Sequence, residues 1–149
     1  MMTTIQIAVE VILIAYLIYL SVYDIRYHKV RDRSLVIFLP LVCAKCAVTI
    51  CLGSYADILT ILLGSAAGFC ILLLAAMLTY GGIGGGDIKL AAVLGLAAGL
   101  RGILMILLIS SICTVLCGLI YRAVTKGRLI CLPFVPFMTA GYILTLLLI

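Results

Sequence analysis

The sequence predicts an all-α fold, a polytopic membrane protein of about six transmembrane helices. Apolar residues make up 67% of the 149-residue chain and the mean hydropathy is +1.46, well above what a water-soluble globule carries. They run in near-continuous stretches that match the roughly 20 residues one helical crossing needs. The basic residues are also patterned. Eight of the ten Lys and Arg fall in three short segments: Arg26, Lys29, Arg31 and Arg33; Lys89; and Arg122, Lys126 and Arg128. This is the bias of cytoplasmic loops between spans.

Taken in order, the spans read approximately as 5–23, 34–52, 57–79, 87–100, 102–121 and 130–149. The first is too long for a signal-peptide core and lacks a basic n-region and a convincing small-residue cleavage site, so it is expected to remain in the mature protein. The third and fourth carry Gly64-xxx-Gly68 and Gly95-xxx-Gly99, spacings that let helices approach closely. The fourth is short, rich in small residues, entered through a glycine loop and left through a Gly99–Gly102 turn. The charge rule puts the N-terminus outside, with the loops at 24–33, 80–86 and 122–128 in the cytoplasm. The whole of 1–149 is expected to be one membrane-embedded domain, with no room for a separate soluble one.

The net charge of +5 does not point to nucleic acid, because the basic residues mark topology. Seven cysteines lie mostly within spans, and Cys43-x-x-Cys46 has no second pair at zinc-site spacing. They read as small polarizable packing residues, and His28 stands alone in a basic loop. Neither a metal nor a cofactor is expected. Lys45 lies within a span and is expected to snorkel outwards, with a buried role as the alternative.

Function is carried by the acids, of which there are five: Glu10, Asp24, Asp32, Asp57 and Asp87. Asp24 closes the first span and Asp87 opens the fourth, and the topology puts both on the cytoplasmic face. An acid at the mouth of a span is costly and commonly functional. Asp87 ends a stretch in which five of the six residues from Gly81 to Gly86 are glycine. Glycine permits positive φ and close backbone approach to a ligand. The stretch is not a phosphate cradle, since no Gly-Lys-Ser/Thr follows and Asp87 occupies the last position of a would-be GxGxxG. Capping of the fourth helix by Asp87 is expected, but does not explain so dense a glycine run. Gly86 is expected to supply backbone freedom at the site, and Gly99 packing. The structural alternative for Asp24 is an interfacial acid solvated beside Arg26. Asp32 lies between two arginines and reads as a loop acid, while Glu10 and Asp57 map to the opposite side.

Gly84-Gly85-Gly86-Asp87 matches the Gly-x-Gly-Asp signature of membrane aspartic proteases. Its surroundings, Gly-Gly-Ile-Gly-Gly-Gly-Asp-Ile-Lys-Leu, resemble the second-aspartate motif of the type IV prepilin peptidases. Asp24-Ile-Arg-Tyr-His-Lys-Val resembles their first-aspartate segment, and Leu132-Pro-Phe-Val-Pro-Phe resembles a last-helix element. Many relatives carry Pro-Asn where Arg31-Asp32 stands, which keeps Asp32 a second candidate. The larger relatives' cytoplasmic insert with two CxxC pairs is not seen, so the chain looks like a short form without methyl transfer. The resemblance implies an aspartic endopeptidase of the cytoplasmic (inner) membrane. It would remove basic leader peptides from pilin-like or archaeal flagellin-like precursors. Asp24 and Asp87 would be catalytic, with Gly84, Gly85, Gly86 and Lys89 against the substrate. A rival of another class is a small proton- or ion-conducting protein using the two acids as a relay, and a third is an idle membrane scaffold. The oligomeric state is not set by the sequence.

Overall fold

A computed structural model describes residues 4–27, 32–51, 56–80, 82–124 and 133–148. The chain is all-helical among these residues: α1 (Thr4–Tyr27), α2 (Asp32–Cys51), α3 (Ala56–Leu78), α4 (Gly85–Val124) and α5 (Val135–Leu148). Large apolar side chains face outward all round the bundle, among them Val36, Leu59, Met77 and Leu78, each at least 66% exposed. Such a surface suits lipid, not water. α1, α3 and α4 are long and apolar enough to cross a membrane, and α2 and α5 contain shorter apolar stretches.

α4 spans 40 residues, which as a straight helix would run about 60 Å, twice the thickness of a hydrocarbon core. It is not straight. Gly99 sits at φ 67°, ψ −178° and separates two helical segments. A Cβ placed on Gly68 would meet the Ala91 carbonyl oxygen at 2.6 Å and Ile103 Cγ1 at 3.0 Å. A straight helix would hold residues 91 and 103 about 18 Å apart, so the chain folds back at Gly99 and both halves pack on α3. The expected fourth and fifth spans are therefore present. They are joined by a left-handed glycine and not by a longer turn, and the fourth begins two residues early, at Gly85. Gly99 makes this break because a residue with a Cβ resists its φ.

Gly64 and Gly95 perform the packing expected of the paired small-residue motifs. A Cβ on Gly64 would lie 2.6 Å from the Gly95 carbonyl oxygen, and one on Gly95 would collide with the Gly64 backbone. α3 and α4 thus meet backbone to backbone, as small residues in membrane helices allow.

The other side of the bundle is joined differently. α1 presents one stripe inward, in which Leu13, Leu17, Leu20, Ser21 and Asp24 are buried, and Glu10 continues it by one turn. α5 answers with Val135, Met138, Thr139, Tyr142 and Thr145. Tyr16 ties α1 to α2 by donating to the Ser34 carbonyl at 2.7 Å and stacking on Phe38 at 5.4 Å.

Lys45 does not snorkel. It forms an ion pair with Glu10 and donates to the Tyr142 hydroxyl at 3.1 Å, leaving only 18% of its side chain exposed. A partner within reach inside the bundle removes the reason for the ammonium to seek the interface. Cys43, Cys46, Cys70, Cys113 and Cys117 are free thiols. Cys46 donates weakly to the Leu96 carbonyl at 3.4 Å.

Candidate active site

Two helix beginnings meet at one end of the bundle, and each holds a carboxylate. At the start of α4, the Gly84 carbonyl accepts from the Asp87 N–H at 3.0 Å and the Ile88 N–H at 3.4 Å. Gly84 is therefore the capping residue and Asp87 the third helical residue, not the cap expected from the sequence. The Asp87 carboxylate folds back to accept the Gly84 N–H, the side-chain half of a capping box, since glycine has no side chain to return the bond.

At the start of α5, the motif Pro133-Phe-Val-Pro-Phe137 finds its explanation. The Phe134 carbonyl accepts from the N–H groups of Phe137 at 3.1 Å and Met138 at 3.2 Å, and Pro136 has no N–H to offer. Val135, first residue of the helix, keeps an N–H without an intrahelical acceptor. Asp24 Oδ2, from α1, accepts it at 3.2 Å. A carboxylate 111 residues earlier in the chain thus caps α5, at the positive end of the helix dipole.

Asp24 is buried, only 5% exposed, and Asp87 is half-buried. The two are near enough for the charge of Asp24 to act on Asp87. Two carboxylates so placed repel when both are ionised, which favours a state with one proton between them. That is the arrangement general acid–base chemistry on a bond requires.

The glycine stretch lies beside Asp87. Gly84 and Gly85 are exposed and Gly86 is half-buried. A Cβ on Gly85 would meet nothing within 4 Å, whereas one on Gly84 would touch Asp87 Oδ2 at 3.4 Å. Lys89 is exposed two residues beyond Asp87. The residues expected from the sequence to form a site, Asp24, Asp87, Gly84, Gly85, Gly86 and Lys89, therefore gather at one end. The backbone freedom expected of Gly86 is not used there. Among the described glycines Gly99 has positive φ, and the left-handed residue near the loop is Tyr80, φ 51°, fully exposed beyond the end of α3. The glycines at the site contribute missing side chains, not unusual dihedrals.

Glu10 stands fourteen residues before Asp24 on α1, about 21 Å away along the axis, and belongs to the opposite end. The side chains of Asp32 and Asp57, and His28, lie outside the described residues. Among the described residues no three of His, Cys, Asp and Glu gather where a metal ion could be held. Sequence reasoning missed the Val135 N–H as the partner of Asp24. Its signal was the proline one position later, which removes the next N–H in the first turn of α5.

Residues 11–119, which include both aspartates, match the type IV leader peptidase family. The chain is 40% identical over 142 residues to the prepilin leader peptidase/N-methyltransferase of Bacillus subtilis (strain 168), covering 92% of this chain and 54% of that one. It thus spans about half the length of this curated relative. No solved structure matches. With a family match running from α1 into the second half of α4, this chain belongs to the type IV leader peptidase family.

Proposed function

We propose that this chain is an aspartic endopeptidase that removes leader peptides from prepilin-like precursors, with residues 1–149 acting as one membrane-embedded catalytic domain. The observation that carries the reading is that Asp24 and Asp87 come near enough for one charge to act on the other, beside the exposed glycines. One carboxylate takes a proton from water as the oxygen attacks the scissile carbonyl carbon. The other, protonated, gives its proton to the departing amide nitrogen as the carbon–nitrogen bond breaks. An extended leader segment would lie along Gly84–Gly86, where the missing side chains leave room for a second backbone, with Lys89 donating to one of its carbonyls. Only the peptidase half of the relative's name is carried over, since hydrolysis is what two carboxylates supply.

The basic residues beside Asp24 and Asp87 support a cytoplasmic site in a multi-pass inner-membrane protein. Labelling should place His28 and Thr125 inside and Ser54 outside. His28 and Ser54 on one side would end the six-span topology and the shared face of the two acids. An ion relay is disfavoured by the fully buried Leu13 and Leu17 that α1 places between its two acids. The deciding experiment is incubation of the purified protein with a pilin-like precursor bearing a basic leader. A product shortened at the leader boundary is expected, and an intact precursor with every such substrate would reject the proposal.

A further inference from the structure

The end of the bundle remote from the aspartates holds an ion pair that the hydrolytic chemistry does not touch. Glu10 from α1 pairs with Lys45 from α2, and both are largely buried. The Tyr142 hydroxyl of α5 donates to Glu10 Oε2 at 2.7 Å and accepts from Lys45 Nζ at 3.1 Å, with the ammonium 5.6 Å from the ring centroid. Three helices meet in this cluster. Apolar packing alone does not fix them there, because a cavity of about 480 Å³ borders the cluster, walled partly by Thr49, Thr60, Gly99 and Gly102.

Both acids of the α1 stripe reach α5. Asp24 accepts the Val135 N–H, the Thr139 hydroxyl meets the Leu17 carbonyl at 3.4 Å, and Glu10 accepts from Tyr142. These contacts run down α1 as they run up α5, so the two helices are antiparallel and share one axial register. Apolar stripes in lipid tolerate sliding, since leucine against leucine differs little from leucine against a lipid tail. A polar group withdrawn from lipid has few alternative partners, and buried polar pairs are best attested as register-setting devices.

We infer that Glu10, Lys45 and Tyr142 are positioning residues for the reaction: they set the height of α1 against α5 and so hold the Asp24 carboxylate on the Val135 N–H, facing Asp87. The inference rests on the peptidase reading for its catalytic consequence, but its structural half can be tested without cleavage. The readout is hydrogen exchange at the Val135 amide, whose protection in this register comes from Asp24 and not from the helix.

Tyr142→Phe keeps the ring and removes the hydroxyl that joins the three helices. Losing a hydrogen bond to a charged group should speed Val135 exchange and lower kcat per folded molecule by about tenfold. KM should hold within about twofold, because the substrate surface is untouched. Glu10→Gln/Lys45→Met, which removes both charges together, serves as the second variant and should do the same. Val42→Ala, a buried core truncation on α2, controls for general destabilisation. It should lower the melting temperature without selectively exposing Val135 or changing kcat per folded molecule. Unchanged Val135 exchange in both cluster variants overturns the inference, as does a fall in kcat with Val135 still protected. A wild-type protein that cleaves no precursor, yet loses Val135 protection in both variants, would sink the peptidase reading and leave the register assignment standing.

Discussion

The two ends of α1 carry the same kind of group and use it in opposite ways. At one end Glu10 faces Lys45, the charges cancel, and a tyrosine hydroxyl fills the remaining valence. At the other Asp24 lies near enough to Asp87 for the like charges to interact, with backbone N–H groups of Val135 and Gly84 as partners. A matched pair buried in a bundle holds helices in place. A pair of like charges cannot be relaxed by ionising both members, and the proton this retains is available for chemistry.

The largest expected effect separates these ends directly. Asp24→Asn and Asp87→Asn should each lower cleavage by roughly 10²–10⁴-fold, the usual contribution of an acid–base group. Folding should survive, because the amide oxygen of asparagine still accepts the Val135 or Gly84 N–H. Asp32→Asn and Asp57→Asn should retain most activity. Cleavage rates of purified variants against a precursor decide the matter. An inactive Asp32→Asn beside an active Asp24→Asn would move the first catalytic acid into the basic loop.

Next in size are changes in the glycines that join α3 to α4, where folding and not chemistry should fail. Gly99→Val forces a β-branched residue into a left-handed conformation at about 1–3 kcal/mol, and its Cβ would press on Thr60 Cγ2 at 3.3 Å. Gly95→Leu would drive a side chain into the Gly64 backbone, which cannot yield. Both should lower the melting temperature and the yield of folded protein, whereas Gly86→Val should spare them more. The sequence assigned Gly86 backbone freedom and Gly99 packing, and the positive φ at Gly99 moves the conformational demand to that position. Thermal unfolding in detergent checks it, and a stable Gly99→Val protein would show that the fold-back does not depend on this residue.

The third effect is on pH. With one carboxylate as base and its partner as acid, the rate should fall about tenfold per pH unit on both outer limbs. It is lost on the acid side as the base takes up a proton, and on the alkaline side as the shared proton leaves. The two apparent pKa values belong to the pair. A rate that climbs and then stays flat to strongly alkaline pH, with the protein still folded, would remove the need for an acid partner.

What was legible in the sequence divides along similar lines. Apolar runs, basic loops and the glycine-aspartate motif are local signals, and they pointed to the all-helical membrane fold and brought Asp24 and Asp87 to notice. What escaped depends on contacts between distant segments. Nothing local to Lys45 says that Glu10 lies across from it 35 residues earlier, so a solitary lysine in a span reads as a snorkelling one. Nothing local to Asp24 names Val135. Gly99 was half legible: the sequence put it in the turn between the fourth and fifth spans, but its Gly95-xxx-Gly99 spacing suggested packing alone and not the positive φ that makes the break.

The smallest effects are expected from neighbours on the glycine approach, and they test whether that surface meets substrate. Gly84→Ala and Gly85→Ala each add one methyl group, and neither residue has a positive φ to lose. The methyl at position 84 would rest on Asp87 Oδ2 at ordinary contact distance, while that at 85 would project into open space. The first should crowd the room beside the carboxylate that water and the scissile carbonyl need. A penalty near 1 kcal/mol in the transition state would lower kcat by about fivefold. The second leaves the carboxylates alone and narrows the channel for a peptide backbone, so it should raise KM a few-fold with kcat unchanged, the pattern of lost ground-state binding. Steady-state kinetics on the two proteins, matched for folded fraction, gives both numbers. Equal and negligible changes would mean that the leader reaches the aspartates by another path, and that the glycines serve only to start α4.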